Sequence, residues 1–217
     1  MISYSSLLQK WYPYFVKWRM LGILDDVIGR LDILYKDCTV YPEKQKVFRI
    51  FQEISPENVK VIFLGQDPYP GIYNDEPSAC GRAFATENGY LNPSLKNLFK
   101  ELQDDLGIKI IDNKEYSLDA WVDDGVFLLN TALTVEKGLA GSHLKLWEQF
   151  SKEFIVNFSK EFDVVWVLLG KKAQQWDKYI INGNVISAPH PSPLAGGKFF
   201  GSKIFSKINN FKEIKWQ

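Results

Sequence analysis

The 217-residue sequence is poor in the residues that build metal centres and disulfide frameworks. It has two cysteines, Cys38 and Cys80, neither in a CxxC pair, and two histidines, His143 and His190. Zinc and iron–sulfur sites that depend on cysteine ligands are therefore disfavoured. Nothing indicates a disulfide framework, so we expect a reducing, intracellular compartment and no cofactor or metal.

The sequence also lacks long apolar runs and an excess of either charge. No stretch approaches the roughly 20 apolar residues of a membrane helix. The N-terminal segment has no apolar core for a signal peptide, because it is interrupted by Lys10, Pro13, Lys17 and Arg19. With 26 basic and 26 acidic residues the formal net charge is +0. We expect no membrane partner, and any nucleic-acid surface must be a local basic face.

Several catalytic and nucleotide-binding motifs are missing as well. No G-x-G-x-x-G follows an apolar run, and "LLGKKAQQ" lacks the first glycine and the Ser/Thr of a phosphate-binding P-loop. No G-x-S-x-G elbow marks a serine hydrolase, and no H-x-E with P-C-x-x-C marks a zinc deaminase. These four enzyme classes are therefore disfavoured.

Apolar and aromatic residues, by contrast, are plentiful and arranged in four runs. Apolar residues make up 46% of the chain and aromatic residues 15%, which suits one compact domain spanning residues 1–217. All runs but the last are near-continuous, as in strands that helices cover on both faces. The runs are Val59–Gly65, Gly125–Thr131, Val164–Gly170 and Asn184–His190.

Helical patterns separate these runs. Asn92 is predicted to cap a helix that begins at Pro93 and stops at Gly107. A second helix, with Ser142 as its predicted cap, carries an apolar stripe formed by Trp147, Phe150, Phe154, Phe158 and Phe162. The alternation of strands and helices predicts a three-layer α/β/α fold with a central four-stranded, mainly parallel sheet.

Polar residues follow each predicted strand, at the edge where such sheets place their functional loops. Asp67 precedes Pro68, and His190 lies between two prolines, so that both backbones are rigid, as catalytic groups require. The residues that should converge on this edge are Gln66, Asp67, Asn130, Gly170, Lys171 and His190. The sequence therefore predicts one site that combines an acid, an amide, a base and a histidine.

Each of these residues also has a purely structural interpretation. Asp67 before a proline suits a turn, and Asn130 could bond its own backbone. His190 could be a surface histidine, and Lys171 could begin a solvated helix. His143, next to the predicted cap, is more simply explained by capping or packing. Only the combined pattern favours a functional site.

Three sequence blocks resemble the signature blocks of the family 1 uracil-DNA glycosylases. They are "GQDPYP", "FLLNTALTV" with "SHLKLWEQF" downstream, and "HPSPLAGGKFFGSKIFSKIN". The blocks occur in the family's order between Gly65 and Asn209, and "GQDPY" with "HPSPL" is highly specific. The resemblance implies a base-flipping enzyme that removes uracil from single- or double-stranded DNA without a metal or organic cofactor.

The resemblance also implies roles for individual residues. Asp67 would be the general base that positions water and stabilises the cationic sugar, and His190 would stabilise the departing base. The uracil pocket would be formed by Gln66, Tyr69, Phe84 and Asn130. DNA would be gripped by Pro93, Ser94, Gly170 and Ser192, with Leu194 as an apolar wedge in the base stack.

This chain departs from the usual family pattern at four places. Pro70 stands where many members have histidine, and Lys171 follows Gly170 where serine is usual. The segment between Tyr69 and Phe84 is a few residues longer than expected, and "AGGKFF" is slightly shorter. A lysine at position 171 would contact a phosphate directly and strengthen salt-dependent binding.

The resemblance extends to partners and location, and two rival functions stay open. It admits a proteinaceous uracil-DNA glycosylase inhibitor as a partner, a monomeric state, and a cytoplasmic location of the bacterial type, or a nuclear or viral-replication site otherwise. One rival is a hydrolase or nucleotide-processing enzyme of the same layout, which would need a metal cluster or a nucleophile. The other is a non-catalytic DNA-binding module, which would not need Asp67, Asn130 and His190 together.

Overall fold

The structure is a computed structural model that describes residues 8–110 and 116–217. The first seven residues of the N-terminal segment, on which the signal-peptide expectation partly rests, lie outside the described residues. Among the residues that are described, none of the helices has the length and apolar character needed to cross a bilayer.

A four-stranded sheet forms the centre of the molecule. The eight strands of the described chain are β1 (Val40–Tyr41), β2 (Val61–Gly65), β3 (Ile72–Tyr73), β4 (Glu76–Pro77), β5 (Val126–Asn130), β6 (Val135–Glu136), β7 (Val165–Leu169) and β8 (Asn184–Ala188). The central sheet has the order β5-β2-β7-β8, and all its pairs are parallel. The predicted four-stranded sheet is thus confirmed. The short strands form two separate pairs, β1 with β6 and β3 with β4.

Burial explains why the first three apolar runs are continuous and the fourth is not. Every residue of β2, β5 and β7 is buried, since helices cover both faces of these strands. The strand β8 lies at the sheet edge, and there Ile186 and Ala188 are buried whereas Val185 and Ser187 are exposed. Both β5 and β8 are edge strands, but only β8 leaves one face exposed, and this face accounts for the alternation in the fourth run.

Helices pack on both faces of the sheet. They are α1 (Tyr12–Lys17), α2 (Leu21–Asp37), α3 (Arg49–Glu53), α4 (Pro93–Leu106), α5 (Asp119–Asp123), α6 (Leu144–Glu161), α7 (Gly170–Gln174) and α8 (Ile204–Asn209). The predicted ends of α4 are confirmed: Asn92 Oδ1 accepts from the Ser94 N–H at 3.0 Å, and Gly107 ends the helix with a left-handed φ of 73°. The three-layer α/β/α fold is confirmed by this arrangement.

The predicted cap of α6 is wrong. His143, not Ser142, immediately precedes the helix, and the His143 side chain makes no capping hydrogen bond. The Ser142 hydroxyl instead accepts from the Glu136 N–H at 2.9 Å, at the end of β6. Ser142 therefore closes the loop between β6 and α6, and its hydroxyl bonds a residue six positions earlier in the chain instead of the start of α6.

Aromatic side chains fill the core on both sides of the sheet. On one side Trp11 packs against Phe51, Phe127 and Phe154, with ring centroids 5.1–5.5 Å apart. Its indole N–H donates to the Ile54 carbonyl at 2.6 Å, which satisfies the buried donor. The described part of the aromatic N-terminal segment therefore serves packing. The other side holds a second aromatic cluster of Phe63, Trp121, Phe205 and Trp216.

Candidate active site

The carboxylate of Asp67 lies in the loop that follows β2 and is held by two donors. Its Oδ1 accepts from Gln66 Nε2 at 2.8 Å, and its Oδ2 accepts from the Gly141 N–H at 2.5 Å. The second bond joins two segments 74 residues apart in sequence. Both bonds are accepted by the carboxylate oxygens, and together they fix the orientation of the carboxylate.

Asn130 ends β5, the neighbour of β2, and lies beside Gly65 in register. The side chain is buried, with 7% of its surface exposed. A Cβ on Gly65 would lie 2.1 Å from Asn130 Oδ1 and 3.0 Å from the Cβ of Ala83. Glycine at position 65 therefore provides the space that the Asn130 amide occupies.

His190 lies in the loop after β8 and is oriented by its own loop. The Ser192 N–H donates to His190 Nδ1 at 3.0 Å, so the proton of a neutral imidazole is on Nε2. Burial lowers the pKa of His190, because an apolar environment disfavours the charged ring. The residue therefore presents a neutral Nε2–H donor.

A second glycine makes room for His190. Gly170, at the start of α7, has a left-handed φ of 83°, and a Cβ there would lie 2.7 Å from the Cβ of His190. Gly65 and Gly170 thus have the same role at two strand ends. Each lets a polar side chain from a neighbouring strand or loop approach the backbone closely.

Tyr69 lies next to Phe84, and the ring of Phe84 in turn lies near that of His190. The Tyr69 hydroxyl donates to the Phe84 carbonyl at 3.0 Å. The ring centroids of Phe84 and His190 are 6.3 Å apart, and Phe84 has a left-handed φ of 66°. Burial raises the pKa of Tyr69, which stays a neutral phenol. The longer segment that precedes Phe84 thus still delivers its ring to this site.

Arg82 anchors the segment that carries Phe84, a role that the sequence did not reveal. Its Nε and Nη2 donate to the Glu53 carboxylate, each at 2.7 Å. Its Nη1 donates to the Ser117 carbonyl at 2.5 Å and to Asp119 at 2.6 Å. Because the guanidinium is buried, these paired bonds hold the Phe84 loop against α3 and α5.

Gln66 is tied to the end of β5 by its backbone. Its carbonyl accepts from Thr131 Oγ1 at 2.8 Å and from the Ala132 N–H at 2.9 Å. Because the Gln66 carbonyl already accepts two hydrogen bonds, the backbone group of Gln66 that can contact a ligand is its N–H. The two loops after β2 and β5 form one rigid unit.

The predicted DNA-contacting residues lie around this site. Pro93 and Ser94 begin α4, and the Asn97 side chain of α4 donates to the Pro191 carbonyl at 2.6 Å. This bond joins the start of α4 to the His190 loop. Lys171 is exposed next to Gly170. In that loop the Ser192 hydroxyl accepts from the Leu194 N–H at 3.3 Å, and Leu194 is 97% exposed.

His143 is buried near the site but has a structural partner. Its Nδ1 lies 2.9 Å from Thr134 Oγ1, which also accepts from Trp147 Nε1 at 2.8 Å. Its Nε2 is buried without a partner among residues 8–110 and 116–217. These contacts favour the packing role, which holds the loop that carries Gly141.

Both histidines should make stability depend on pH. Burial lowers the pKa of His143 and of His190 below the ordinary 6.5. Below about pH 6.5 the two histidines therefore bind more protons in the unfolded chain than in the folded chain. The free energy of unfolding falls as the pH drops through this range. Urea unfolding between pH 7.5 and 5 measures this slope. The variant with both His143→Gln and His190→Gln should show a flatter slope, and an unchanged slope would contradict the assignment.

Comparisons with known proteins agree with this geometry. A model of the uracil DNA glycosylase superfamily matches residues 51–211. The chain is 42% identical to a uracil-DNA glycosylase of Anoxybacillus flavithermus, over 99% of this chain and 95% of the relative. It is 44% identical to a uracil-DNA glycosylase of Desulfitobacterium hafniense, over 84% of each chain.

Solved structures show the same fold. A mimivirus uracil-DNA glycosylase aligns with a TM-score of 0.81 and 26% identity, covering 89% of this chain and 72% of that one. A variant of mimivirus UNG in complex with UGI aligns with a TM-score of 0.88 and 26% identity, covering 99% and 91%. The sheet and the loops at its carboxyl edge thus belong to an architecture already seen in other proteins.

Proposed function

The chain belongs to the uracil DNA glycosylase superfamily, and on that premise we propose how its residues carry out uracil excision. The protein is a uracil-DNA glycosylase of DNA repair, which cleaves the bond between uracil and deoxyribose and leaves an abasic site. The residue roles rest on one observation. A fixed carboxylate, a buried amide and a neutral imidazole lie at one edge of the sheet.

Asp67 acts on the sugar side of the bond. A glycosidic bond breaks through an oxocarbenium-like state, which carries positive charge on the sugar. The carboxylate stabilises this charge and orients the water that attacks the sugar. The bonds from Gln66 and Gly141 keep the carboxylate in one orientation, so little reorganisation is needed during the reaction.

His190 acts on the base side. As the bond breaks, uracil takes the bonding electrons, and negative charge builds on its carbonyl oxygen. The Nε2–H of a neutral His190 donates a hydrogen bond to that oxygen, while the Ser192 N–H keeps Nδ1 as the acceptor. A protonated ring would turn Nδ1 into a donor facing the Ser192 N–H. The lowered pKa of His190 therefore suits its role.

Asn130 selects the base. Its amide offers a donor and an acceptor side by side, which match a carbonyl and the adjacent N–H of uracil. The amino group of cytosine would face the Asn130 donor, and the buried amide would lose a partner at a cost of about 1–3 kcal/mol. Phe84 stacks on the flipped base, and Gln66 contributes its backbone N–H.

Tyr69 excludes thymine by occupying the space that the methyl group would need. The Tyr69→Ala variant should therefore gain measurable excision of thymine and lose some rate on uracil, since a truncated wall admits the methyl group. Product analysis on oligonucleotides with one thymine opposite guanine tests this. The Tyr69→Phe variant keeps the ring and serves as the control. Thymine release that is absent or equal in both variants would contradict the steric role.

DNA is held by the loops around the pocket. Ser94, Gly170 and Ser192 donate to phosphates through backbone N–H and hydroxyl groups, and Pro93, which has no N–H, contacts the DNA backbone at the start of α4. Lys171 adds a charged contact, so that binding weakens with salt. Leu194 enters the base stack as the nucleotide leaves. The exposure of Lys171 and Leu194 supports these roles.

Partners and location form the outer part of the proposal. Because mimivirus UNG is solved in complex with UGI, we include a proteinaceous inhibitor among the partners of this chain. All the proposed groups come from one chain, which supports action as a monomer. The two curated relatives are from bacterial species, which supports a cytoplasmic location of the bacterial type.

One assay tests the proposed function directly. The full chain is incubated with EDTA and with single- or double-stranded oligonucleotides that contain uracil or thymine, and abasic sites are detected by alkaline cleavage. We expect cleavage at uracil alone, with EDTA causing no loss. Intact uracil-containing strands would overturn the activity, and loss of activity in EDTA would overturn metal independence.

A further inference from the structure

The lengthened segment between Tyr69 and Phe84 folds into a small β-hairpin. Ile72 pairs with Pro77 and Tyr73 with Glu76. The turn residues Asn74 and Asp75 both have left-handed φ values, 50° and 62°, as a two-residue type I′ turn requires. The extra residues therefore form a defined structure beside the loop of Asp67.

The hairpin is anchored at its base. The Gly138 N–H donates to the Pro70 carbonyl at 2.9 Å, and the Ser78 N–H donates to the Gly71 carbonyl at 3.0 Å. The Asn88 amide donates to the Glu76 carbonyl at 3.2 Å. These bonds connect the hairpin to two other segments, so its side chains are presented at fixed positions.

Two exposed tyrosines stack at this hairpin. The rings of Tyr73 and Tyr90 have centroids 4.9 Å apart and planes inclined by 29°. Tyr73 is 41% exposed and Tyr90 36% exposed, and Ile72 next to them is exposed as well. A stacked pair covers the facing sides of its rings only, so an aromatic surface stays open to an added planar group.

This surface adjoins the proposed DNA interface. Tyr90 precedes Pro93 by three residues, and its carbonyl accepts from Thr86 Oγ1 at 2.7 Å, two residues after Phe84. Tyr73 lies on the hairpin that follows Tyr69. The tyrosine pair is therefore bracketed by the segment that lines the uracil pocket and by the segment that grips phosphate.

We propose that Tyr73 and Tyr90 form a stacking subsite for an unpaired base of the uracil-bearing strand, outside the uracil pocket. The proposal rests on the proposed function, since it requires DNA at this edge. Stacking on tyrosine tolerates any base, because every base has a π-face. A base inside a duplex is already stacked on its neighbours, so the subsite favours single-stranded DNA.

The charges around the pair favour a base rather than a phosphate. Asp75 and Glu76 at the hairpin tip are acidic and exposed. The cations Lys46 and Arg49 of the adjoining surface pair with Glu87 at 3.0 Å and 2.5 Å. A phosphate would meet repulsion here, whereas a neutral base needs only the ring faces.

Steady-state kinetics on uracil-containing single strands of increasing length tests the subsite. Nucleotides are added one at a time on the 5′ side or the 3′ side of a short core with uracil at its centre. In Tyr73→Ala and Tyr73→Leu we expect KM to rise about tenfold on the long strands. The shortest strand should show no change in KM, and kcat should stay constant throughout, because the contact lies outside the reacting centre.

Matched variants separate stacking from other effects. Tyr73→Phe keeps the ring and should behave as the unchanged protein at every length. Phe211→Ala removes an exposed ring elsewhere and should leave KM unchanged. Equal KM values for Tyr73→Ala and the unchanged protein on long strands would overturn the subsite, and so would a KM change of the same size on the shortest strand. If the unchanged protein released no uracil, the proposed function would fail instead.

Discussion

Replacing Asp67 with asparagine is expected to lower the excision rate by about 10³-fold while binding of uracil-containing DNA is retained. The amide has the shape of the carboxylate but no charge, so it stabilises neither the cationic sugar nor the attacking water. Its oxygen can also accept from only one of the two donors, Gln66 or the Gly141 N–H, that hold the carboxylate. The excision rate therefore falls for two reasons: the side chain at position 67 has lost its charge, and it is no longer held in one orientation.

Single-turnover excision and equilibrium binding to the same oligonucleotide separate these effects. Asp163, an exposed carboxylate before the amino end of β7 and so at the opposite edge of the sheet, supplies the matched control as Asp163→Asn. The control should keep both rate and affinity. An Asp67→Asn rate within tenfold of the unchanged protein would remove Asp67 from the mechanism. A loss of affinity equal to the loss of rate would assign it to binding.

Replacing Gly65 with alanine is expected to lower the uracil excision rate by about 10²-fold although residue 65 contacts no substrate. The added Cβ would lie 2.1 Å from Asn130 Oδ1, so the amide must leave its position. Two directed hydrogen bonds to the base are then lost, and the one that the Asn130 amide nitrogen donates to a uracil carbonyl oxygen also stabilises the negative charge that develops there. The crowding should also lower the free energy of unfolding by about 1–3 kcal/mol.

Gly71→Ala is the matched control, because a Cβ at position 71 would have no atom of the described residues within 4 Å and the φ of Gly71 lies outside the left-handed region. This variant should retain activity. Thermal unfolding of both variants shows that the protein is folded when its rate is measured. Full activity in Gly65→Ala would mean that Asn130 does not need its present position.

Much of the fold was predictable because a strand that is buried on both faces has an uninterrupted apolar sequence. The first three strands are uninterrupted apolar runs, and parallel strands bring their carboxyl ends to one edge. The order of residues alone was thus enough to place Asp67, Asn130 and His190 together. The end signals of α4, Asn92 and Gly107, are local and were equally readable.

Other features have no such pattern in the sequence. The Gly141 N–H that fixes Asp67 is a backbone group, and every residue except proline has one. Arg82 is a single charge whose partners lie 29 to 37 residues away. Strands of two residues, as in the hairpin of Tyr73, are too short for a periodic pattern. Ser142 had two possible partners, the start of α6 and the Glu136 N–H, and the sequence does not show which of them its hydroxyl bonds.

Family membership resolves one of the two rivals that sequence left open. The family match and the 42% identity to a uracil-DNA glycosylase over 99% of this chain argue against the first rival, another hydrolase or nucleotide-processing enzyme of the same layout. A non-catalytic module would have no need for glycine at positions 65 and 170. Each makes room for a polar side chain, Asn130 or His190, whose position matters for chemistry. The Gly65→Ala experiment is therefore also a test against the non-catalytic rival.

The exposed Leu194 has a consequence for the energetics of opening the double helix. A leucine left in water forgoes about 2 kcal/mol that burial would return, and at 97% exposure almost all of this is still available. Extruding a nucleotide costs a few kcal/mol of stacking and pairing. If Leu194 fills the gap in the stack, its dehydration offsets much of that cost. Part of the free energy needed to distort DNA therefore comes from burying apolar surface of Leu194 that is hydrated in the unbound protein.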